Sequence, residues 1–174
     1  NTVKAKSIAV IEDRTAYGQG VAAEFEKAVK AAGGKLVGHE FTTDKSTDFS
    51  IILTKLKAKK PDLIFFGGMD AVGGPLLLGM KKLGINAKFM GGDGICSAKL
   101  PELSVGSMSD GQVVCAEAGG VEGEAKKSTD AFKEAFKKKY GVEVQIYAPY
   151  VYDAVNVLVA AMVKAGSAEP AKYL

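Results

Sequence analysis

Up to residue 116, short continuous apolar runs alternate with stretches whose apolar residues recur at helical spacing. The run SIAVI at residues 7–11 is continuously apolar after Ser7, as a strand covered on both faces requires. Val21, Phe25, Ala28 and Ala32 then recur every three or four residues, predicting a helix over 18–32 stopped by Gly33-Gly34. Residues 35–41 read as a second strand. Phe49, Ile52, Leu53 and Leu56 share one face of a predicted helix over 48–60, with Thr47 as its N-cap and Pro61 beyond its end. A third strand over 63–66, a helix over 71–83 ended by Gly84, and strands over 88–90 and 112–116 complete the series. Strand–helix alternation with short connections predicts an α/β fold: a parallel five-stranded sheet between helices, three αβα layers joined by right-handed crossovers.

After Gly119-Gly120 the pattern changes. Residues 124–140 predict one long Lys-rich amphipathic helix with Phe132, Ala135 and Phe136 on its apolar face, and 148–165 predict a second, more apolar helix. No strand alternates with them. Residues 1–119 therefore read as one αβα lobe, and 120–174 as two helices without a sheet of their own. The opening Asn1-Thr2-Val3 and the stop at Lys172-Tyr173-Leu174 lead us to expect a processed or excised piece.

Composition narrows the function. The chain has 174 residues, enough for one domain with a sizeable core, and 47% hydrophobic against 25% charged residues is an ordinary globular balance. The net charge is only +3, and the lysines lie on helix faces with no aromatic residues between them, a solvated surface rather than a nucleic-acid patch. No apolar run approaches the roughly 18 residues of a membrane span, so no membrane insertion is expected. The two cysteines, Cys96 and Cys115, form no CxxC and lie far from the lone His39, which argues against a metal site. Their spacing leaves two readings open: buried thiols of a reducing compartment, or one disulfide of an exported protein.

Open parallel sheets bind ligands beyond the carboxyl ends of their strands. Three distinctive loops must emerge on that rim: residues 12–20 after the first strand, 67–71 after the third and 91–94 after the fourth. The last belongs to GGDGICSAKL, where three glycines bracket Asp93. Such glycines are expected to keep Cβ atoms off the rim, so that a ligand can approach the backbone around the acid. A dinucleotide-binding enzyme is an alternative, because residues 18–23 fit G-x-G-x-x-G/A and Glu40 lies where a ribose-binding acid would be. In that motif the first glycine sits at the strand end, whereas here residues 13–17 intervene. A phosphoacceptor receiver domain fails at Gly67, where it needs an acceptor Asp. A hydrolase reading finds no G-x-S-x-G and no nucleophile near His39.

The runs SIAVIEDRTAYGQG, PDLIFFGGMDAVGGPLLLGMKKLGI, KFMGGDGICS and YAPYVYDAVNVLVAAM, in that order along nearly the whole chain, resemble the branched-chain amino-acid-binding proteins of bacterial ABC transporters, type I periplasmic binding proteins. The resemblance implies two αβα lobes that close about a hinge on a leucine-like amino acid, without catalysis or cofactor. It implies that residues 1–119 form mainly the second lobe and that the two C-terminal helices belong to the first. It also implies roles: Asp93 as the acid facing the ligand's ammonium, Tyr17 as a closing ring, and Met69-Asp70 as pocket residues. Met69 stands where relatives often carry an aromatic, which opens the choice of ligand. A periplasmic location, a membrane permease as partner and a Cys96–Cys115 disulfide follow from the same resemblance. A ligand-sensing receptor domain of this fold is the other reading it admits. A chain of this extent is expected to self-associate through the apolar faces of its last two helices.

Overall fold

The computed structural model describes residues 3–117 and 121–174. The described residues fall into two compact units, the first ending at residue 117 and the second starting at 121. The predicted boundary at Gly119-Gly120 lies outside the described residues.

The first unit is the expected α/β lobe. Its elements are β1 (Ser7–Glu12), α1 (Ala16–Ala31), β2 (Lys35–Phe41), α2 (Ser50–Ala58), β3 (Leu63–Gly67), α3 (Asp70–Lys82), β4 (Lys88–Gly91), α4 (Leu100–Leu103) and β5 (Val113–Cys115). The five strands form one sheet in the order β2-β1-β3-β4-β5, every pair parallel. All strand carboxyl ends therefore share one edge.

Strand alternation sorts the core into two layers. Ile8, Val10, Leu63 and Phe65 face α1, where they meet Ala22, Phe25 and Val29; the Phe25 and Phe65 rings stack at 3.9 Å. Ala9, Ile11, Ile64 and Phe66 face the other way, onto Phe49, Leu53 and Leu56 near α2 and onto Val72, Leu76, Leu77 and Met80 of α3. Each fully buried Val, Leu, Ile, Phe or Met among them contributes about 1.5–3 kcal/mol. Continuous apolar runs at β1 and β3 are thus required, because both faces are covered.

Two local expectations shift. The buried stripe of α1 runs through Gly18, Ala22 and Val29, while Ala28 and Ala32 are exposed. The helix starts at Ala16, capped by the Thr15 side chain, which accepts from the Gly18 amide at 2.9 Å. The reason is steric: a Cβ on Gly18 would lie 2.6 Å from the Gly67 carbonyl oxygen, so this glycine must face the sheet. Thr47 does not cap α2, whose N-cap position is Phe49. Asp48 instead accepts from the Ser50 amide at 2.9 Å, and Phe49 turns inward to 4% exposure.

The second unit holds α5 (Gly123–Tyr140), α6 (Ala148–Ala165) and α7 (Pro170–Tyr173). α5 and α6 end on Gly141 and Gly166 in left-handed conformation, as C-terminal glycines do. Phe132 meets Tyr152 at 5.1 Å between ring centroids, joining α5 to α6. No helical residue of this unit is buried; Val151 and Val155 are 59% and 54% exposed.

Two expectations follow for the lobe. Gly67→Ala would drive its Cβ to 2.3 Å from the Gly18 carbonyl oxygen. Overpacking of backbone against backbone should cost about 1–3 kcal/mol, read as a lower urea midpoint with an unchanged slope. At the opposite sheet edge, the Asp62 carboxylate accepts from the Ser7 and Lys6 amides, both at 2.9 Å, and these bonds hold its pKa below the usual carboxylate value. A depressed folded-state pKa gives stability that is complete above the unfolded value and is lost as pH falls through the folded one. The advantage of the wild type over Asp62→Asn in urea midpoint should therefore shrink between neutral pH and about pH 3.

Candidate functional site

The strand-end rim is built around a tight turn from β1 into α1. Glu12 and Asp13 are both buried, at 4% and 2% exposure, and two adjacent buried acids need partners close by. The turn supplies them in part, from its backbone and the Thr15 hydroxyl, while Asp13 Oδ2 is buried without a hydrogen-bond partner among the described residues. Glu12 Oε2 accepts from the Arg14 amide; Asp13 Oδ1 accepts from the Thr15 amide at 3.0 Å and from the Thr15 hydroxyl at 2.6 Å. Arg14 adopts a left-handed φ of 60°, uncommon for a residue with a Cβ, and these bonds offset its cost. The Asp13 amide donates to the Gly67 carbonyl at 3.0 Å, fastening the turn to the end of β3.

This turn fixes Tyr17. Its hydroxyl donates to Asp93 Oδ1 at 2.7 Å and accepts from the Gly94 amide at 3.0 Å, so one oxygen joins residues 76 and 77 positions away. Asp93 opens a single 3-10 turn (Asp93–Ile95) directly after β4, and the carboxylate is only partly buried. Tyr17 and Asp93 thus meet at the rim as a hydroxyl–carboxylate pair, a charge-assisted bond at an acid that still faces solvent.

The glycines serve a different purpose from the one expected. A Cβ on Gly92 would lie 2.7 Å from the Tyr17 hydroxyl; one on Gly94 would lie 2.6 Å from the Gly68 carbonyl and 2.9 Å from Met69 Sδ; one on Gly91 would strike Ile95 at 2.8 Å. The space they leave is filled by the chain's own atoms. They let Tyr17, Met69 and Ile95 close onto the Asp93 turn, rather than holding backbone open to a ligand.

Met69 is 44% exposed at the start of α3, with its thioether beside Gly94. Asp70, the first residue of α3, accepts from the Ser97 hydroxyl through Oδ2. The structure therefore gathers Tyr17, Met69 and Asp93 around one small patch and commits an oxygen of Asp70 to the loop beyond the 3-10 turn. Cys96 and Cys115 are bonded, with Cα atoms 5.6 Å apart. Ser97 escaped the sequence reading, since a partner 27 residues away leaves no local signal. Thr15 did carry one, standing at the N-cap position of α1.

Competing chemistries lose their geometry here. Gly18 and Gly20 lie inside α1, not at the strand-to-helix turn where a pyrophosphate would sit. Glu40 pairs with Lys55 at 3.2 Å. His39 is occupied by Glu26, at 2.7 Å, and stacks on Phe41. Among the described residues no group of three or more His, Cys, Asp or Glu side chains could hold a metal ion, and no helix is long and apolar enough to cross a membrane.

A family model described as "Periplasmic binding protein" matches residues 1–174. An "Amino acid binding protein" of Pseudomonas aeruginosa is 33% identical over 172 residues, covering 99% of this chain and 45% of its own. The "Leu/Ile/Val-binding protein BraC3" of Rhizobium johnstonii is 33% identical over 171 residues, covering 97% and 45%. Among solved structures, the leucine binding protein LivK from Thermotoga maritima superposes with a TM-score of 0.83 at 24% identity, over 99% of this chain and 49% of that one. The branched-chain amino acid transporter substrate binding protein LivJ from Streptococcus pneumoniae, in complex with isoleucine, gives 0.74 at 27% identity, over 93% and 46%. The chain spans about half the length of the curated relatives it matches.

Tyr17→Phe removes the hydroxyl that Asp93 and the Gly94 amide share. Leaving these two groups without it should cost about 1–3 kcal/mol in unfolding free energy, a shift that chemical denaturation of the chain resolves.

Proposed function

The chain belongs to the periplasmic binding protein family, and we propose that it is most of one lobe of a two-lobed protein that captures a branched-chain or related amino acid for an ABC transporter. Residues up to the segment near 119 are that lobe, the second of the pair; α5 and α6 belong to the first. In this reading the ligand lies against the strand-end rim, its ammonium on the free oxygen of Asp93 and its side chain toward Met69. Tyr17 closes over it as the lobes come together. Capture needs no bond-making, and the rim offers an acid, a phenol and a thioether for contact with a ligand. A membrane permease would receive the ligand, and the periplasm would be the setting.

The observation that carries this reading is the Tyr17–Asp93 pair on the shared strand edge, with one carboxylate oxygen engaged and the acid still partly exposed. Relatives named for leucine, isoleucine and valine binding support the class of ligand. The amphipathic α5 and the more apolar α6, with no buried residue of their own, support their assignment to another lobe.

A carboxylate meeting an ammonium in a closing cleft is worth about 1.5–3 kcal/mol. In the two-lobed protein, Asp93→Asn should weaken leucine, isoleucine and valine binding about tenfold or more while the melting temperature stays close to wild type. Calorimetric titration beside thermal melts checks this. Unchanged affinity with a lowered melting temperature would assign Asp93 to holding Tyr17 alone.

A further inference from the structure

Three of the residues around Asp93 are glycines, and the only large side chain in the turn, Ile95, points into the core and away from the carboxylate's partners. Gly91, Gly92 and Gly94 contribute no side-chain packing, and glycines lose more conformational freedom on ordering than other residues. Inside the turn the backbone bonds are the Cys96 amide to the Asp93 carbonyl at 2.9 Å and a long 3.3 Å contact from the Ile95 amide to the Gly92 carbonyl. Beyond the Tyr17 hydroxyl and the buried Ile95, the position of Asp93 is set at the ends of the turn.

Both ends are fastened to the same strand. Upstream, Gly91 is the last residue of β4, in register with Cys115 of β5, and its carbonyl accepts from the Ala116 amide at 3.1 Å. Downstream, Cys96 follows the 3-10 turn directly and is bonded to Cys115. β5 has only three residues, lies at the sheet edge and buries none of them fully. Ladder pairing over so short an edge strand is a weak hold by itself.

We propose that Cys96 and Cys115 are positioning residues for ligand capture: their disulfide clamps residues 91–96 to β5 so that the Asp93 carboxylate is already at the Tyr17 hydroxyl before a ligand arrives. Affinity then depends on the bond through Asp93, because a loosened turn must be re-ordered at each binding event. The inference rests on the reading of Asp93 as the ammonium's partner. A disulfide with only a stabilising role behaves differently. It raises the melting temperature by restricting the unfolded chain and leaves the affinity of the folded protein alone.

A double-mutant cycle in the two-lobed protein separates these. Leucine binding is measured by calorimetry for the wild type, Cys96→Ser with Cys115→Ser, Asp93→Asn, and all three substitutions together, well below every melting temperature. Removing the disulfide should weaken binding about fivefold in the wild-type background, and less than about twofold once Asp93 is Asn. Reduction of the wild-type protein should reproduce the loss and reoxidation restore it, which covers a double variant that fails to fold. Unchanged affinity without the disulfide, or an equal loss in both backgrounds, overturns the positioning role while leaving the proposed function standing. If Asp93→Asn binds leucine as the wild type does, the role of Asp93 toward the ammonium and the positioning role fall together while amino-acid capture stands; a wild type that binds no leucine, isoleucine or valine overturns the function reading itself.

Discussion

The contact on which the rim depends is backbone against backbone: the first turn of α1 pressed onto the end of β3 at Gly18 and Gly67. Neither position tolerates a Cβ, so the helix comes closer to the sheet than side chains would allow. That closeness buries Glu12 and Asp13, and burial obliges the two acids to take the amides of Arg14 and Thr15. The turn so formed has one conformation, and Tyr17 leaves it in one direction. A small-residue contact in the core layer thus decides where a phenol stands at the surface.

The energetics divide between a rigid half and a tethered half. On the α1 side, buried carboxylates and capping bonds over-determine the turn, even with Arg14 in a left-handed conformation. On the β4 side the glycine-rich turn has little packing of its own and takes its position from Tyr17, from Met69 and from the covalent tie at Cys96. A carboxylate held this way is oriented without being smothered. One oxygen is taken by the phenol, and the residue remains partly exposed.

The second unit presents the opposite problem. Its two long helices end on left-handed glycines and pair through aromatic rings, yet none of their residues is buried. A helix such as α6 is specified by its sequence to be covered on a broad face, and the described residues of its own unit do not cover it. The curated relatives that this chain matches are about twice its length.

Sequence by itself determined the sheet and its edges. Continuous apolar runs at β1 and β3 admit only a doubly covered strand, the glycines after α1, α3, α5 and α6 end those helices, and parallel connection forces every carboxyl end to one rim. It also placed Asp93, Tyr17 and Met69 on that rim, because which loop leaves which strand end follows from chain order alone. What it could not supply were relations across the chain. That Tyr17 bonds Asp93, that Ser97 bonds Asp70, and that the glycines around Asp93 receive this chain's own side chains depend on distances between segments tens of residues apart. The apolar face of α1 differs in part from its periodicity for the same reason: Val21 and Phe25 pack on the sheet, but Ala22 and Val29 are buried where Ala28 and Ala32 were expected. Period fixes that a helix has an apolar face, but only the tertiary contact at Gly18 and Gly67 decides which of two adjacent faces turns inward.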